Sequence, residues 1–140
     1  MEQLQEALIQ EIRHFTAESS WNRLTRIDGS RMYEEPLVGF ADGDDPLFEQ
    51  YHQIIGEFHL TPRQALNAAD EPFVSVISWV LPIAKETLLS NRSMKEGCSV
   101  RWNHTRYLGD KFNNILRQHI VDFLTSRGFK ATAPVITDKF

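Results

Sequence analysis

The chain has 140 residues, 41% of them apolar and 24% charged, a composition that excludes intrinsic disorder and suits one globular domain spanning 1–140. A net charge of −4 excludes capture of nucleic acid or anionic membrane by bulk field alone. A single cysteine, Cys98, excludes an internal disulfide framework.

No signal-peptide pattern opens the chain. Its longest strongly apolar run, 73–84, is too short for a bilayer span and is interrupted by Ser75, Ser78 and Pro82. A soluble cytoplasmic protein, not tied to a membrane, is therefore expected.

Residues 2–17 place Leu4, Leu8, Ile12 and Phe15 on one stripe, which predicts an amphipathic helix, with Glu2, Glu6 and Glu11 off the stripe. Residues 19–36 are polar and mixed, and predict irregular chain anchored by Trp21, Leu24 and Ile27. The apolar run 37–41 predicts a strand or extended loop, closed by the turn signal Asp42-Gly43-Asp44-Asp45. Asp45 before Pro46 reads as a helix N-cap, with the helix running to about Gly56 and burying Phe48, Tyr51, Ile54 and Ile55. Thr61-Pro62-Arg63-Gln64 is a stronger start, a capping box leading into a helix that ends before Pro72.

Residues 73–81 are rich in β-branched and aromatic side chains, which predicts a strand covered on both faces. Pro82 closes it. Residues 83–89 predict a helical turn or two, and 90–97 a loop. From Thr105 the helical period returns through Leu108, Phe112, Ile115, Leu116, Ile120, Phe123 and Leu124, ending at Gly128. Residues 129–136 then predict a strand beside 73–81. The expected architecture is α/β, a single domain with a mixed sheet packed by helices, in which the relative direction of those two strands is open.

The best candidate site is the loop-to-helix segment 102–114. A cap at Asn103 or Thr105 would leave free amides and the positive helix end directed at an anion, with Arg106 adding a charge-assisted bond. Arg92 and Arg101 would join if the preceding loop folds back. The plainer alternative is a structural cap with Arg106 paired to Asp110 one turn on. Asn113 and Asn114 are poor helix formers placed on a helix, which points to a contact role. The five histidines, His14, His52, His59, His104 and His119, show no metal-ligand spacing, so no metal site is expected. Cys98 reads as an idle thiol. Asp42, Asp44 and Asp45 are explained by the turn and the cap. No P-loop, G-x-G-x-x-G, G-x-S-x-G or H-E-x-x-H motif occurs.

Several segments, in order, resemble one family. They are Tyr33-Glu34-Glu35-Pro36-Leu37-Val38-Gly39-Phe40-Ala41-Asp42 with Asp44 to Phe48, then Ile55-Gly56-Glu57-Phe58-His59-Leu60-Thr61-Pro62-Arg63. Val76-Ile77-Ser78-Trp79-Val80-Leu81-Pro82-Ile83 follows, with Thr87 and Ser90-Asn91-Arg92. Next come Trp102-Asn103-His104-Thr105-Arg106, Gly109, Lys111-Phe112-Asn113-Asn114 and Leu116-Arg117, and last Thr132-Ala133-Pro134-Val135. Together they resemble the N-terminal region of epoxyqueuosine reductase-like iron–sulfur proteins.

The resemblance implies an α/β domain that helps hold a cobalamin, followed by a ferredoxin-like half with two [4Fe–4S] clusters. It implies a pocket faced by Arg92, His104, Thr105, Arg106, Asn113 and Asn114. Three departures bear on activity. The cysteine-rich cluster motifs are absent, and each cluster needs four sulfur ligands. The acidic residue that the reductases carry just before Thr-Ala-Pro is Ala131 here. Family members also continue past the position of Phe140. The expectation is an N-terminal module that shapes a pocket wall, has no complete active site, and needs a cluster-bearing half or separate redox partner. The alternative is a non-catalytic binding or homodimeric assembly module.

Overall fold

The computed structural model describes residues 2–138. Helix α1 (Glu2–Glu18) forms where its stripe predicts, burying Leu8 and Ile12, with Leu4 and Phe15 packed beside them. Thr16 extends the buried face, and its hydroxyl donates to the Ile12 carbonyl at 2.8 Å, so no polar group is stranded.

Residues 19–36 are irregular, as expected, but their anchors differ. Trp21 and Ile27 are 49% and 37% exposed, whereas Leu24, Met32 and Asn22 are fully buried. Asn22 holds the segment together. Its Nδ2 donates to the carbonyls of Thr16 (2.9 Å) and Tyr33 (3.1 Å), and its Oδ1 accepts from the Tyr33 amide at 2.9 Å. A polar side chain thus organises a stretch too poor in apolar residues to organise itself.

Strands β1 (Leu37–Asp42) and β2 (Ser75–Val80) pair antiparallel, in register from Leu37 opposite Val80 to Asp42 opposite Ser75. Val38, Phe40, Ile77 and Trp79 alternate onto the helical core, as a period of two demands. The strand was expected to be covered on both faces, but only one face carries helices. Phe73, just before β2, is 78% exposed, and Val80 is 59% exposed. The expected mixed sheet is likewise replaced by a two-stranded antiparallel one.

The predicted strand over 129–136 does not form. Residues 130–133 have no regular structure, and Pro134–Ile136 make a 3-10 turn. Pro134 has no amide for a ladder and holds Ala133 extended (φ −124°, ψ 98°) in front of it.

Between the strands, α2 (Pro46–Ile54) begins on Asp45, whose carboxylate accepts from the Leu47 amide at 2.9 Å. It ends short of Gly56 and buries none of its residues; Ile54 is 71% and Ile55 49% exposed, because no element lies over them. Helix α3 (Pro62–Leu66) starts on the predicted capping box, with Thr61 and Gln64 bonded reciprocally. It stops well before Pro72, at Asn67 in the left-handed region (φ 52°), a conformation asparagine tolerates.

Helix α4 (Lys85–Arg92) continues into residues expected to be loop, and α5 (Val100–Thr125) begins at Val100 rather than at Thr105. The cap of α5 is Ser99, whose hydroxyl accepts from the Trp102 amide at 3.2 Å while its own amide donates to Asn91 Oδ1 at 3.0 Å. From α5, Phe112, Leu116 and Ile120 close the core against Leu8, Ile12, Leu24 and Met32. Gly109 makes this possible: a Cβ there would lie 2.0 Å from the Tyr33 hydroxyl, so only glycine lets that ring cross α5 and stack 5.9 Å from Phe112. No helix among the described residues is long and apolar enough to cross a membrane.

Candidate functional site

The early start of α5 dissolves the expected anion site at its head. Asn103 and Thr105 lie inside the helix, so neither caps it, and the positive end sits at Ser99. Thr105 is buried with its hydroxyl unpaired, His104 is half-buried, and Arg92 and Arg106 are exposed. Among the described residues, the side chains of Arg92 and Arg106 make no hydrogen bond or ion pair, so the alternative Arg106–Asp110 pair does not form either. Arg106 and Asp110 instead flank Tyr33. Burial first, then the Asp110 charge, raises its phenol pKa, with Arg106 partly opposing them.

Arg101 is also committed elsewhere. It pairs with Asp28 and donates to Ser30 Oγ at 2.6 Å, tying the irregular segment to the first turn of α5. The Asp28 carboxyl is held down to about 2 by bonds from the Ser30 hydroxyl and amide, then by Arg101. A depressed carboxylate stabilises the fold above its ordinary value of 3.8, and that contribution disappears as pH falls towards about 2. Asp28→Asn is therefore expected to flatten the dependence of Tm on pH across that window and to leave the slope near neutrality unchanged.

Asn113 and Asn114, by contrast, both have side-chain partners, and Asn113 lines a groove. Asn113 Oδ1 accepts from the Trp79 indole at 3.0 Å, joining α5 to β2 across the core edge. Asn114 Oδ1 accepts from Arg117 Nη1 at 2.6 Å and so orients that guanidinium. Asn113 and Arg117 then form one wall of a groove of about 470 Å³, a volume in the range of ligand sites. Its other walls are β2 and residues 130–135, with His59 and Leu66 on the α2–α3 side. Ala131 lines it too.

Arg117 and Trp79 were missed as site residues by sequence reasoning. The available signal was helical spacing: Arg117 stands one turn from both Asn113 and Asn114. The groove is mostly apolar and its charged side chains are cationic, Arg117 and Lys130, with no Asp or Glu among its lining residues. That contrasts with the chain's net charge of −4.

A [4Fe–4S] cluster does not fit the donor set. Cys98 is the sole thiol, lies exposed, and no group of three or more His, Cys, Asp or Glu among the described residues could hold a metal ion. Beside the Asn113 amide and the Arg117 guanidinium, Trp79, Ile77 and Val121 give the groove apolar surface.

No family model, curated protein or solved structure matches the chain.

Proposed function

We propose that this chain is the N-terminal module of an iron–sulfur oxidoreductase resembling epoxyqueuosine reductase, working in the cytoplasm. Its groove supplies one wall of a cofactor pocket, and a cluster-bearing partner closes it. One observation carries this reading. Trp79, Asn113 with Arg117, and Thr132 to Val135 come from three separate family-like segments, yet they line a single groove. Residues whose only task was packing would have no reason to converge on an open cleft.

The cofactor in this reading is cobalamin, held on Asn113 and Arg117, and the clusters belong to the partner. The test is a titration of the full chain with hydroxocobalamin, followed by its visible absorbance. Saturable binding is expected, weakened about tenfold by Asn113→Ala through loss of a hydrogen bond, with the circular dichroism spectrum unchanged. Absence of saturable binding, or binding indifferent to Asn113→Ala, counts against the reading.

The second reading, an assembly module that forms homodimers, draws on a different surface. Ile54, Phe58 and Phe73 are 71%, 80% and 78% exposed on and around the α2–α3 arm, more apolar surface than an isolated arm usually shows.

A further inference from the structure

The groove is bordered by two stretches of backbone that lack partners. Strand β2 pairs with β1 on one edge only, and among the described residues no backbone or side-chain hydrogen bond reaches its other edge. Across the same groove, the amides of Lys130, Ala131, Thr132 and Ala133 also have no partner among the described residues. A strand presents alternate amides and carbonyls to each side, so β2 leaves half of its backbone groups waiting for a neighbour. Folded proteins seldom leave such an edge flat, apolar and unguarded. Neither β2 nor 130–133 uses a proline or an inward carboxylate to block pairing.

We infer that the groove is a strand-acceptor slot, which takes an extended segment of a partner polypeptide carrying apolar residues and a carboxylate. The backbone groups give affinity, and the side-chain surroundings give selectivity. Ile77, Val121 and Leu124 form apolar walls for alternate side chains of the guest. Arg117, fixed by Asn114, and Lys130 provide the charge that a guest carboxylate answers; no acidic residue lines the groove to compete. Edge-to-edge pairing with the β2 strand of a second copy does not meet the requirement. That strand, Ser75-Val76-Ile77-Ser78-Trp79-Val80, contains no carboxylate to set against Arg117. The inference goes beyond the reading above: strand and cofactor would both need Arg117 and the same groove, so they are competing occupants, and the slot is defined by this chain alone.

The test selects binders to the full chain from a random dodecapeptide library, then measures the affinity of the synthesised winners. Enriched peptides are expected to alternate β-branched with polar residues and to contain Asp or Glu. N-methylation of their central peptide bonds should weaken binding at least about tenfold, because each methyl removes a backbone donor. Peptide Glu→Gln and Arg117→Gln should each weaken binding about tenfold, and the combination little more than either, since both remove the same contact. Circular dichroism of Arg117→Gln guards against unfolding. No enrichment, or winners indifferent to N-methylation or to Arg117→Gln, would overturn the inference. A chain that binds cobalamin but selects no strand keeps the proposed function and loses the slot; the converse result keeps the slot and loses the cofactor.

Discussion

Phe112→Ala is expected to destabilise the chain by about 3–5 kcal/mol, the range for emptying a buried phenylalanine site. Phe112 has no exposed surface and heads the largest fully buried side chains. Its ring stacks on Phe15 of α1 (centroids 6.4 Å apart) and on Tyr33 of the irregular segment (5.9 Å). One side chain therefore joins α5, α1 and residues 19–36. A loss of that size takes much of the stability available to a domain of this length. Urea unfolding followed by circular dichroism measures it; a midpoint within error of the parent would show that Phe112 is not the keystone of the core.

Asn22→Ala is expected to cost about 3 kcal/mol, through a different mechanism. The substitution creates little cavity but orphans three backbone groups, the buried carbonyl of Thr16 and the part-buried carbonyl and amide of Tyr33. Each orphan costs about 1–3 kcal/mol, and part of that is recovered where water enters. Asn22→Asp separates the donor from the acceptor role. It keeps an oxygen for the Tyr33 amide but sets a carboxylate against two carbonyl oxygens, so it should be no more stable than Asn22→Ala. Urea midpoints decide this, and an Asn22→Asp chain as stable as the parent would mean that the two carbonyls do not need the Asn22 donor.

The parts of this fold that were legible in the sequence are those where local chemistry acts alone. The α1 stripe and the Asp45 and Thr61 caps appear where spacing and capping residues place them, and the apolar runs 37–41, expected as strand or extended loop, and 73–81 give strands over Leu37–Asp42 and Ser75–Val80. Errors fall where tertiary contacts override the pattern. The head of α5 carries Thr105 and Gly109 on its buried face, small residues that close packing requires but that do not register as apolar. The helix therefore seemed to start at Thr105, and an anion site was placed where no helix end exists. The third strand was expected where 129–136 follow the helix ending at Gly128, but pairing there is decided by Pro134 and by the groove that separates this segment from β2.

Of the candidate site, Asn113 and Asn114 stood out because asparagine in mid-helix is a local inconsistency; both have side-chain partners within the chain, and of the two only Asn113 lines the groove. Trp79 was hidden by its strand, where an aromatic residue needs no further explanation. Arg117 was hidden by its place on a helix, where arginine is ordinary. What sets them apart is convergence across 34 residues of chain from Trp79 to Asn113, and no local pattern carries that information.

Anaerobic reconstitution with ferrous iron and sulfide, followed by iron analysis and visible absorbance of the desalted chain, tests the division of labour most directly. One exposed thiolate cannot replace the four that a cubane cluster requires. The account predicts a colourless protein with no stoichiometric iron, acquiring cluster absorbance only in complex with a cysteine-rich partner. A brown chain holding about four irons without any partner would contradict it.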